Sequence, residues 1–241
     1  MDTSKIVSFF RNNITEKEAA EILKNPISTH LLGLGMYGGG IPKDHVLYLE
    51  EYFLNDKPKV CYDIGASLLH WTRTAKRLWD CEVIAFEAVP ECEFLYRSYG
   101  IQYNIGVLSN KVGRVVNYYQ NLIHPGASSY YKELPTETHK NTAPISRLTT
   151  TLDFICNKNG YPDPDIIKID VQGSEKDLLE GSVETLKKCK HLIIELQDTH
   201  YNEGAPLASE TIPFILSLGF ELVKAKFCDN GPDADYHFKK I

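Results

Sequence analysis

The pattern of apolar and polar positions changes at residue 58 of this 241-residue chain. Beyond that residue, short apolar or β-branched runs alternate with stretches in which apolar residues recur at helical spacing. Nearly continuous apolar strands that alternate with helices are typical of a parallel sheet covered by helices on both faces. Strands are predicted at 59–64, 82–88, 101–108, 165–171 and 191–196, and helices near 68–79, 90–99, 174–188 and 208–218.

Two further apolar runs, 220–227 and 234–241, flank the turn sequence DNGPD. We expect them to form an antiparallel hairpin at the end of the sheet. The segment 109–150 is the least regular part of the chain: 114–121 is a candidate extra strand, and 121–145 is predicted as a long loop of the kind that often carries function. The sequence therefore predicts an α/β protein with a mostly parallel, doubly wound sheet.

Composition leaves this picture unchanged but narrows the range of partners. The formal net charge is -6 and Lys and Arg form no cluster, whereas nucleic-acid binders usually carry a basic face. The six cysteines form no C-x-x-C pair, so we interpret them as free thiols in a reducing compartment. No apolar run approaches the roughly 20 residues needed to cross a bilayer, and the N-terminus becomes charged too early for a secretory signal. We expect a cytoplasmic protein that acts on a small molecule or a carbohydrate, without a membrane or nucleic-acid partner.

Two polar motifs follow the first two predicted strands. In YDIGAS, Asp63 and Gly65 end the strand, and the helix after Ser67 offers free backbone N–H groups to an anionic group of a ligand. Gly65 permits a tight turn and a close backbone approach. In AFEAVP, Glu87 ends the second strand, where an acidic side chain can bind both hydroxyls of a ribose. The spacing of the two motifs favours a nucleotide-like ligand at the carboxyl edge of the sheet.

Two later strands also end in acidic residues. Lys168 and Asp170 lie two positions apart in KIDVQGSE and so face the same side of their strand. A charged pair inside an apolar strand is costly unless its charges are paired or used. Glu195 ends the strand HLIIEL, and His200 follows in the next loop. We expect Glu87, Asp170 and Glu195 to line one edge of the sheet; a purely structural ion pair between Lys168 and Asp170 is the alternative.

The series YDIGAS, AFEAVP, DIIKIDVQGSE and LIIEL resembles the FkbM family of methyltransferases, which use S-adenosylmethionine (SAM) as methyl donor. The resemblance covers roughly residues 58–225 and is most specific at KIDVQGSE. It implies the class I methyltransferase fold, which is Rossmann-like with a C-terminal antiparallel hairpin, and methyl transfer to a hydroxyl of a sugar or small metabolite. The site residues that it implies are Asp63, Gly65 and Ala66 in the SAM loop, Glu87 on the ribose, and Asp170 at the reaction centre.

This sequence departs from the family pattern at four places. The asparagine of the SAM loop is Ser67 here, which we retain as a cofactor-binding residue, and the second glycine of that loop is Leu69. The proline of the second motif is Ala88, and the first glutamate of the third motif is Gln172. A catalytic base at that glutamate would be missing from this chain.

Residues 1–57 are predicted to be a helical extension that belongs to the same domain as 58–241. Helices are predicted near 16–24 and 44–54. Between them, LLGLGMYGGGIP is interpreted as a glycine-rich lid in which Tyr37 covers the adenine or the donor, or else as a plain connecting loop. Its G-x-G-x-x-G pattern lacks the strand before it and the helix directly after it that a dinucleotide site needs.

Methyl transfer to an alcohol is helped by a general base, because a protonated hydroxyl is a poor nucleophile. The candidates are Asp170 and His200, with Glu195 orienting the histidine; His124 in the long loop is a further candidate. The histidines show no metal-ligand spacing, so we predict no metal site, although Asp170 and Glu195 are side chains that magnesium could use. We expect a monomer or a homodimer. Methylation of protein or RNA, and a non-catalytic SAM-binding module, are the alternatives; the KIDVQGSE strand and the hairpin argue against a nicotinamide-dependent reductase.

Overall fold

The fold is taken from a computed structural model that describes residues 1–134, 143–229 and 231–241. The strands of these residues are β1 (Val60–Ile64), β2 (Glu82–Glu87), β3 (Gln102–Ile105), β4 (Val107–Leu108), β5 (Val115–Tyr118), β6 (Ile145–Thr150), β7 (Ile166–Ile169), β8 (His191–Gln197), β9 (Phe220–Asp229) and β10 (Asp233–Lys240). The helices are α1 (Thr3–Phe9), α2 (Glu16–Ile22), α3 (Pro26–Tyr37), α4 (Lys43–Tyr52), α5 (His70–Trp79), α6 (Glu93–Tyr99), α7 (Leu152–Asn159), α8 (Glu175–Glu180), α9 (Val183–Lys188) and α10 (Ala208–Ser217). None of the helices in the described ranges is both long and apolar enough to cross a membrane.

Seven strands form the central sheet, in the order β3-β2-β1-β7-β8-β10-β9. In this sheet β3, β2, β1, β7 and β8 run parallel to one another. The last two strands form the hairpin, in which β10 runs antiparallel to both β8 and β9. The central strand β7 reads Ile-Ile-Lys-Ile and is buried along its whole length, as expected of a parallel strand covered on both faces. This topology confirms the predicted doubly wound sheet and its C-terminal hairpin.

The two faces of the central sheet differ in polarity. One face is apolar and packs against α7, α8, α9 and α10 through a cluster that includes Tyr62, Ile64, Ile84, Phe86, Ile167, Ile169, Leu192 and Ile194. The other face carries charged residues toward the carboxyl ends of the strands. There Asp63 is opposite Lys168 in register, and Glu195 is opposite Asp235. Because alternate residues of a strand share a face, these four side chains lie on the side that α4 and α5 cover.

The N-terminal 57 residues contain four helices instead of the two predicted. The helices α2 and α4 confirm the predictions near 16–24 and 44–54. The segment LLGLGMYGGGIP was wrongly interpreted as a loop, because its first half belongs to α3. That helix starts at Pro26, with the Asn25 side chain accepting hydrogen bonds from two backbone N–H groups, and these two start signals outweigh the glycines inside the helix. Residues 38–42 form the short connection that remains.

Three other elements differ from the prediction. The strand predicted at 101–108 is interrupted at Gly106, whose N–H group donates to the Glu87 carbonyl oxygen, and it continues as β4 in a second sheet of order β4-β6-β5. The strand β6 of that sheet was not predicted, since half of its residues are exposed and the strand shows no apolar alternation. The helix predicted at 174–188 breaks at Gly181, where an added Cβ would clash with the carbonyl oxygen of Ser109.

Candidate active site

The loop after β1 is folded tightly over the end of β7. Gly65 has a φ of 79°, in the left-handed region that favours glycine, and an added Cβ would overlap the carbonyl oxygen of Asp170. The backbone N–H groups of Gly65 and Ala66 both donate to the Phe86 carbonyl oxygen at the end of β2. The three strand ends are therefore held together by the backbone, and only glycine fits at their junction.

Glu87, at the end of β2, is held by three backbone N–H groups. Its Oε2 accepts from Ser67 at 2.8 Å, and its Oε1 accepts from Ala88 and Val89, both at 2.8 Å. The side chain is buried, and this burial raises the pKa of Glu87 to about 7 although the three N–H groups favour the ionised form. The motifs YDIGAS and AFEAVP are thus joined through one carboxylate.

Around Glu87 lies a cavity of about 570 Å³, including space open to solvent, which we call the Glu87 cavity. Part of the predicted long loop contributes to it, namely Pro125, Gly126, Ser128 and Tyr130; residues 135–142 of that loop lie outside the described residues. The other lining residues are Ile64, Gly65, Ser67, Phe86, Glu87, Ala88, Gly106, Val107, Leu108, Tyr118, Asp170, Val171, Gln172 and Ser174.

Asp63 has a structural role and does not line the Glu87 cavity. It is fully buried, and its Oδ2 accepts a hydrogen bond of 2.6 Å from the Thr72 hydroxyl, which fixes α5 to the end of β1. Burial raises the pKa of Asp63 above its usual value, and the nearby charge of Lys168 offsets only part of this shift. The predicted direct contact of Asp63 with the cofactor therefore stays a prediction, and its hydrogen bond in this structure supports the loop from behind.

A second cavity, which we call the His45 cavity, adjoins the first. It measures about 720 Å³, including space open to solvent, and it is lined by Gly40, Ile41, Pro42, His45, Gly65, Ala66, Ser67, Leu68, His70, Trp71, Gly126, Lys168, Asp170, Glu195 and Asp235. Four of these residues, Gly65, Ser67, Gly126 and Asp170, also line the Glu87 cavity. A molecule that fills one cavity therefore lies next to a molecule that fills the other.

Lys168 forms an ion pair with one carboxylate of the His45 cavity, that of Asp170. Its Nζ lies 2.7 Å from Asp170 Oδ2, and the lysine is only 6% exposed. Burial alone would lower the pKa of Lys168, but the charges of Asp170, Glu195 and Asp63 raise it above its usual value. For Asp170, burial is outweighed by Lys168 and by hydrogen bonds, so its pKa falls below the usual range. The pair predicted from the sequence is thus an ion pair that also lines a cavity.

Gln172 accounts for one departure from the family pattern. Its amide Nε2 donates to Asp170 Oδ1 at 2.7 Å and to Glu195 Oε2 at 3.0 Å, so it bridges two carboxylates. Burial and the charge of Asp170 raise the pKa of Glu195 well above its usual value. A glutamate in place of Gln172 would add a third acid to this pair and would donate no hydrogen bond when ionised.

Two histidines line the His45 cavity, His45 and His70, and sequence reasoning missed both. Nδ1 of His45 lies 2.8 Å from Asp235 Oδ2, and both residues are buried. His45 lies in the first turn of α4 in the N-terminal extension, and Asp235 is 190 residues further along the chain. No local sequence pattern connects the two, because only the fold brings the hairpin strand β10 beside α4.

Besides Asp63, three residues named from the sequence are not brought to either cavity. His200 and His124 are exposed in their loops, and Tyr37 is 63% exposed at the end of α3. None of the three lines the Glu87 cavity or the His45 cavity. Glu195 lies at the predicted sheet edge, where it accepts from Gln172. The interpretation of Tyr37 as a lid therefore finds no support in this conformation.

One group of side chains in the described ranges has the composition of a metal site. The candidate ligand atoms of His45, Cys228 and Asp235 lie within 4.8 Å of one another, and all three residues are buried. The sequence had predicted no metal ligands. In the structure the imidazole of His45 already shares a hydrogen bond with Asp235.

Known proteins resemble this chain in sequence and in fold. The model of the methyltransferase FkbM domain matches residues 59–222. The 2-O-methyltransferase NoeI of Sinorhizobium fredii is 41% identical over 61 residues, which is 25% of each chain, so the match spans about a quarter of that relative. A Klebsiella pneumoniae protein assigned to the O-methyltransferases superposes with a TM-score of 0.50 over 90% of both chains at 9% identity, which supports the fold alone. Because the family model covers more than half of the sequence, this chain belongs to the FkbM family of SAM-dependent methyltransferases.

Proposed function

We propose that this protein transfers the methyl group of SAM to a hydroxyl of a neutral sugar or a similar polyol. The observation that carries the proposal is the pair of adjoining cavities, which share Gly65, Ser67, Gly126 and Asp170. A two-substrate transfer needs both reactants to be held side by side, because positioning accounts for much of the rate gain in such a reaction. The Glu87 cavity is suited to the donor and the His45 cavity to the acceptor.

The residues of the Glu87 cavity fit SAM. Glu87 offers a carboxylate to the ribose hydroxyls, and Phe86, Val107 and Leu108 offer apolar surface to the adenine. The cavity is open beside Gly106 and Gly126, since a Cβ added to either residue would meet no atom within 4 Å. SAM supplies a methyl group made electrophilic by its bond to a sulfonium. The chain supplies the orientation of both reactants.

The charges of the His45 cavity favour a neutral acceptor with several hydroxyls. Asp170, Glu195 and Asp235 line it against the single charge of Lys168. Carboxylates accept hydrogen bonds from hydroxyls, whereas they repel phosphate and carboxylate groups. RNA is disfavoured as an acceptor for a similar reason, because its phosphates bind to basic protein surfaces and this chain has a net charge of -6. The relative NoeI is named a 2-O-methyltransferase, which supports oxygen as the methylated atom.

We further propose that the protein acts in the reducing environment of the cytoplasm. All six cysteines are free thiols. Cys61 and Cys81 even lie with their sulfur atoms 3.4 Å apart without forming a disulfide. Disulfides are rare where glutathione and thioredoxin keep thiols reduced.

The donor and acceptor parts of this proposal can be tested in turn. Isothermal titration calorimetry with S-adenosylhomocysteine (SAH), the demethylated product, should show binding to the full chain. With SAM present, the release of SAH should then be measured with neutral methyl glycosides of hexoses and deoxyhexoses, and compared with uronic acids, sugar phosphates and RNA. Turnover confined to the neutral glycosides supports the proposal. Absence of SAH binding would indicate a module without donor function, and turnover only with the anionic acceptors would contradict the acceptor class.

A further inference from the structure

His45 is the one histidine among the described residues that lines a wall of the cavity assigned above to the acceptor and is also paired with a carboxylate. Its ring is fixed on two sides. Nδ1 shares a hydrogen bond of 2.8 Å with Asp235 Oδ2, and the ring packs edge-to-face on Phe227 with centroids 5.0 Å apart. A ring held in this way has little freedom to turn, so the direction of its other nitrogen is set by the fold.

That other nitrogen, Nε2, is buried and has no hydrogen-bond partner within the described ranges. A buried polar atom without a partner costs roughly 1–3 kcal/mol, so most such atoms in native proteins have a partner. His45 is 2% exposed and lines the His45 cavity together with Asp170 and Lys168. Since His45 lines that cavity, we take a ligand hydroxyl as the partner of Nε2 once a small movement of the wall opens access to this buried atom.

The pairing with Asp235 also selects the tautomer of the ring. A carboxylate oxygen accepts a hydrogen bond, so Nδ1 must carry the proton that is shared with Asp235. Nε2 of the neutral ring then carries a lone pair and no proton. A histidine whose Nδ1 is held by a carboxylate and whose Nε2 faces the reacting group is a recurrent arrangement for proton removal.

We propose that His45 is the general base of the reaction, with Asp235 as its positioning residue. The inference rests on the proposed function, since it assigns the base for the acceptor hydroxyl. As the acceptor oxygen forms its bond to the methyl carbon, the bond between that carbon and sulfur breaks and its electron pair stays on sulfur. The hydroxyl proton moves to Nε2 of His45, and solvent removes it after the product leaves.

Two acids of the cavity, Asp170 and Glu195, already interact with other side chains. Asp170 is bound to Lys168 and Gln172, and these interactions lower its pKa, which weakens it as a proton acceptor. Glu195 accepts a hydrogen bond from the Gln172 amide, and burial together with the charge of Asp170 raises its pKa. Asp170 and Glu195 are therefore suited to hold acceptor hydroxyls, and the proton transfer falls to the histidine.

The tautomer gives a test that needs no acceptor. In the full chain with SAH bound, long-range proton–nitrogen NMR correlations of the histidine rings should be recorded at neutral pH and assigned with His45→Gln. We expect His45 to carry its proton on Nδ1 and none on Nε2, and Asp235→Asn to shift the ring toward the other tautomer. A proton on Nε2, or on both nitrogens, in the native protein would overturn the proposal.

Steady-state kinetics test the roles of His45 and Asp235 with a matched control. His45→Gln should lower the turnover number with the best neutral glycoside by about 100-fold or more, the usual contribution of a general base, while its affinity for SAH changes less than threefold by calorimetry (~0.6 kcal/mol). Asp235→Asn should lower turnover less and keep SAH binding. The exposed His200→Gln is the control and should turn over like the native chain.

Three results would contradict the assignment while leaving methyl transfer itself intact. Native turnover by a folded His45→Gln variant would remove the base. Loss of SAH binding in that variant would assign His45 to the donor site instead. Turnover abolished by a chelator and restored by zinc would assign His45 and Asp235 to the metal group that includes Cys228. If the native chain binds no SAH or methylates no glycoside, the proposed function fails, and the NMR result still decides the state of His45.

Discussion

The two adjoining cavities stabilise their carboxylates by different means. Glu87 receives its hydrogen bonds from three backbone N–H groups, which persist when neighbouring side chains change. The carboxylates of the His45 cavity are instead stabilised by other side chains, above all by Lys168 and Gln172. The first arrangement is local and tolerant of substitution. The second depends on residues from separate strands, so the loss of one partner leaves the others buried and unpaired.

The largest effect that separates the cavities is expected at Lys168. Replacing it by methionine removes the cation from among Asp63, Asp170 and Glu195 and should lower the free energy of unfolding by about 3–5 kcal/mol, the usual cost of breaking a buried pair. Urea unfolding at neutral pH measures this. Lys190→Met is the matched control, because Lys190 lies 2.7 Å from Asp165 but is 67% exposed, and it should cost less than about 1 kcal/mol. Equal costs for the two lysines would show that the His45 cavity is not dependent on its cation.

The second effect concerns the loop that both cavities share. Gly65→Ala should cost about 1–2 kcal/mol for a left-handed backbone and a further 1–3 kcal/mol or so for the overlap with the Asp170 carbonyl. Gly113→Ala is the control, since Gly113 has a φ of 77° but no atom within 4 Å of an added Cβ. It should show only the backbone cost in urea unfolding. If the two variants are equally stable, the loop moves away from β7 without penalty.

The donor side of the comparison is tested at Glu87. If Glu87 binds the ribose as proposed, loss of its carboxylate removes charge-assisted hydrogen bonds worth about 1.5–3 kcal/mol, so Glu87→Ala should bind SAH about 10- to 100-fold more weakly. Glu82→Ala serves as the control, because Glu82 is exposed at the opposite end of the same strand. Calorimetry of both variants should leave the control unchanged. Equal affinity of the two variants for SAH would show that Glu87 does not bind the donor.

The pKa of Glu87 predicts a pH dependence of donor binding. Burial raises the pKa of Glu87 to about 7, so the ionised form, which accepts from ribose hydroxyls, gains population as the pH rises through that value. If only this form binds well, SAH affinity should increase about tenfold from about pH 6 to about pH 8. Glu87→Gln carries no titrating group and should show a flat profile over this interval. A tenfold rise that persists in Glu87→Gln would assign the titration to another residue.

The same contrast explains what could be predicted from the sequence. The Glu87 cavity is lined by residues at or just after a strand end, so reading along the chain placed Gly65, Ser67 and Glu87 at this edge of the sheet. Their contact with the donor stays a prediction. The acid at the end of β7 was found in the same way. The turn and strand chemistry that produces such sites is local, and local chemistry is visible in a sequence.

The His45 cavity could be predicted only in part. Its strand-end acids Asp170 and Glu195 were predicted, but His45 and Asp235 were not, because their partnership depends on how α4 packs against the terminal hairpin. The base was sought in His200, which follows β8 directly in the sequence. Proximity along the chain favoured His200, which is exposed in the loop after β8, so its role as base stays a prediction.

The smallest effect is expected at His200. This residue follows its strand directly in the sequence, whereas His45 and Asp235 are brought together only by the fold. His200 is exposed and lines neither cavity, so His200→Ala should change the turnover number and the SAH affinity by less than about twofold, as for most surface substitutions away from a site. Steady-state kinetics beside His45→Gln makes this a direct comparison of two histidines in one enzyme. A loss of tenfold or more in His200→Ala, with SAH binding preserved, would mean that the loop after β8 moves over the His45 cavity during turnover. In that case the base would come from the loop, and the buried His45 would serve to hold the acceptor.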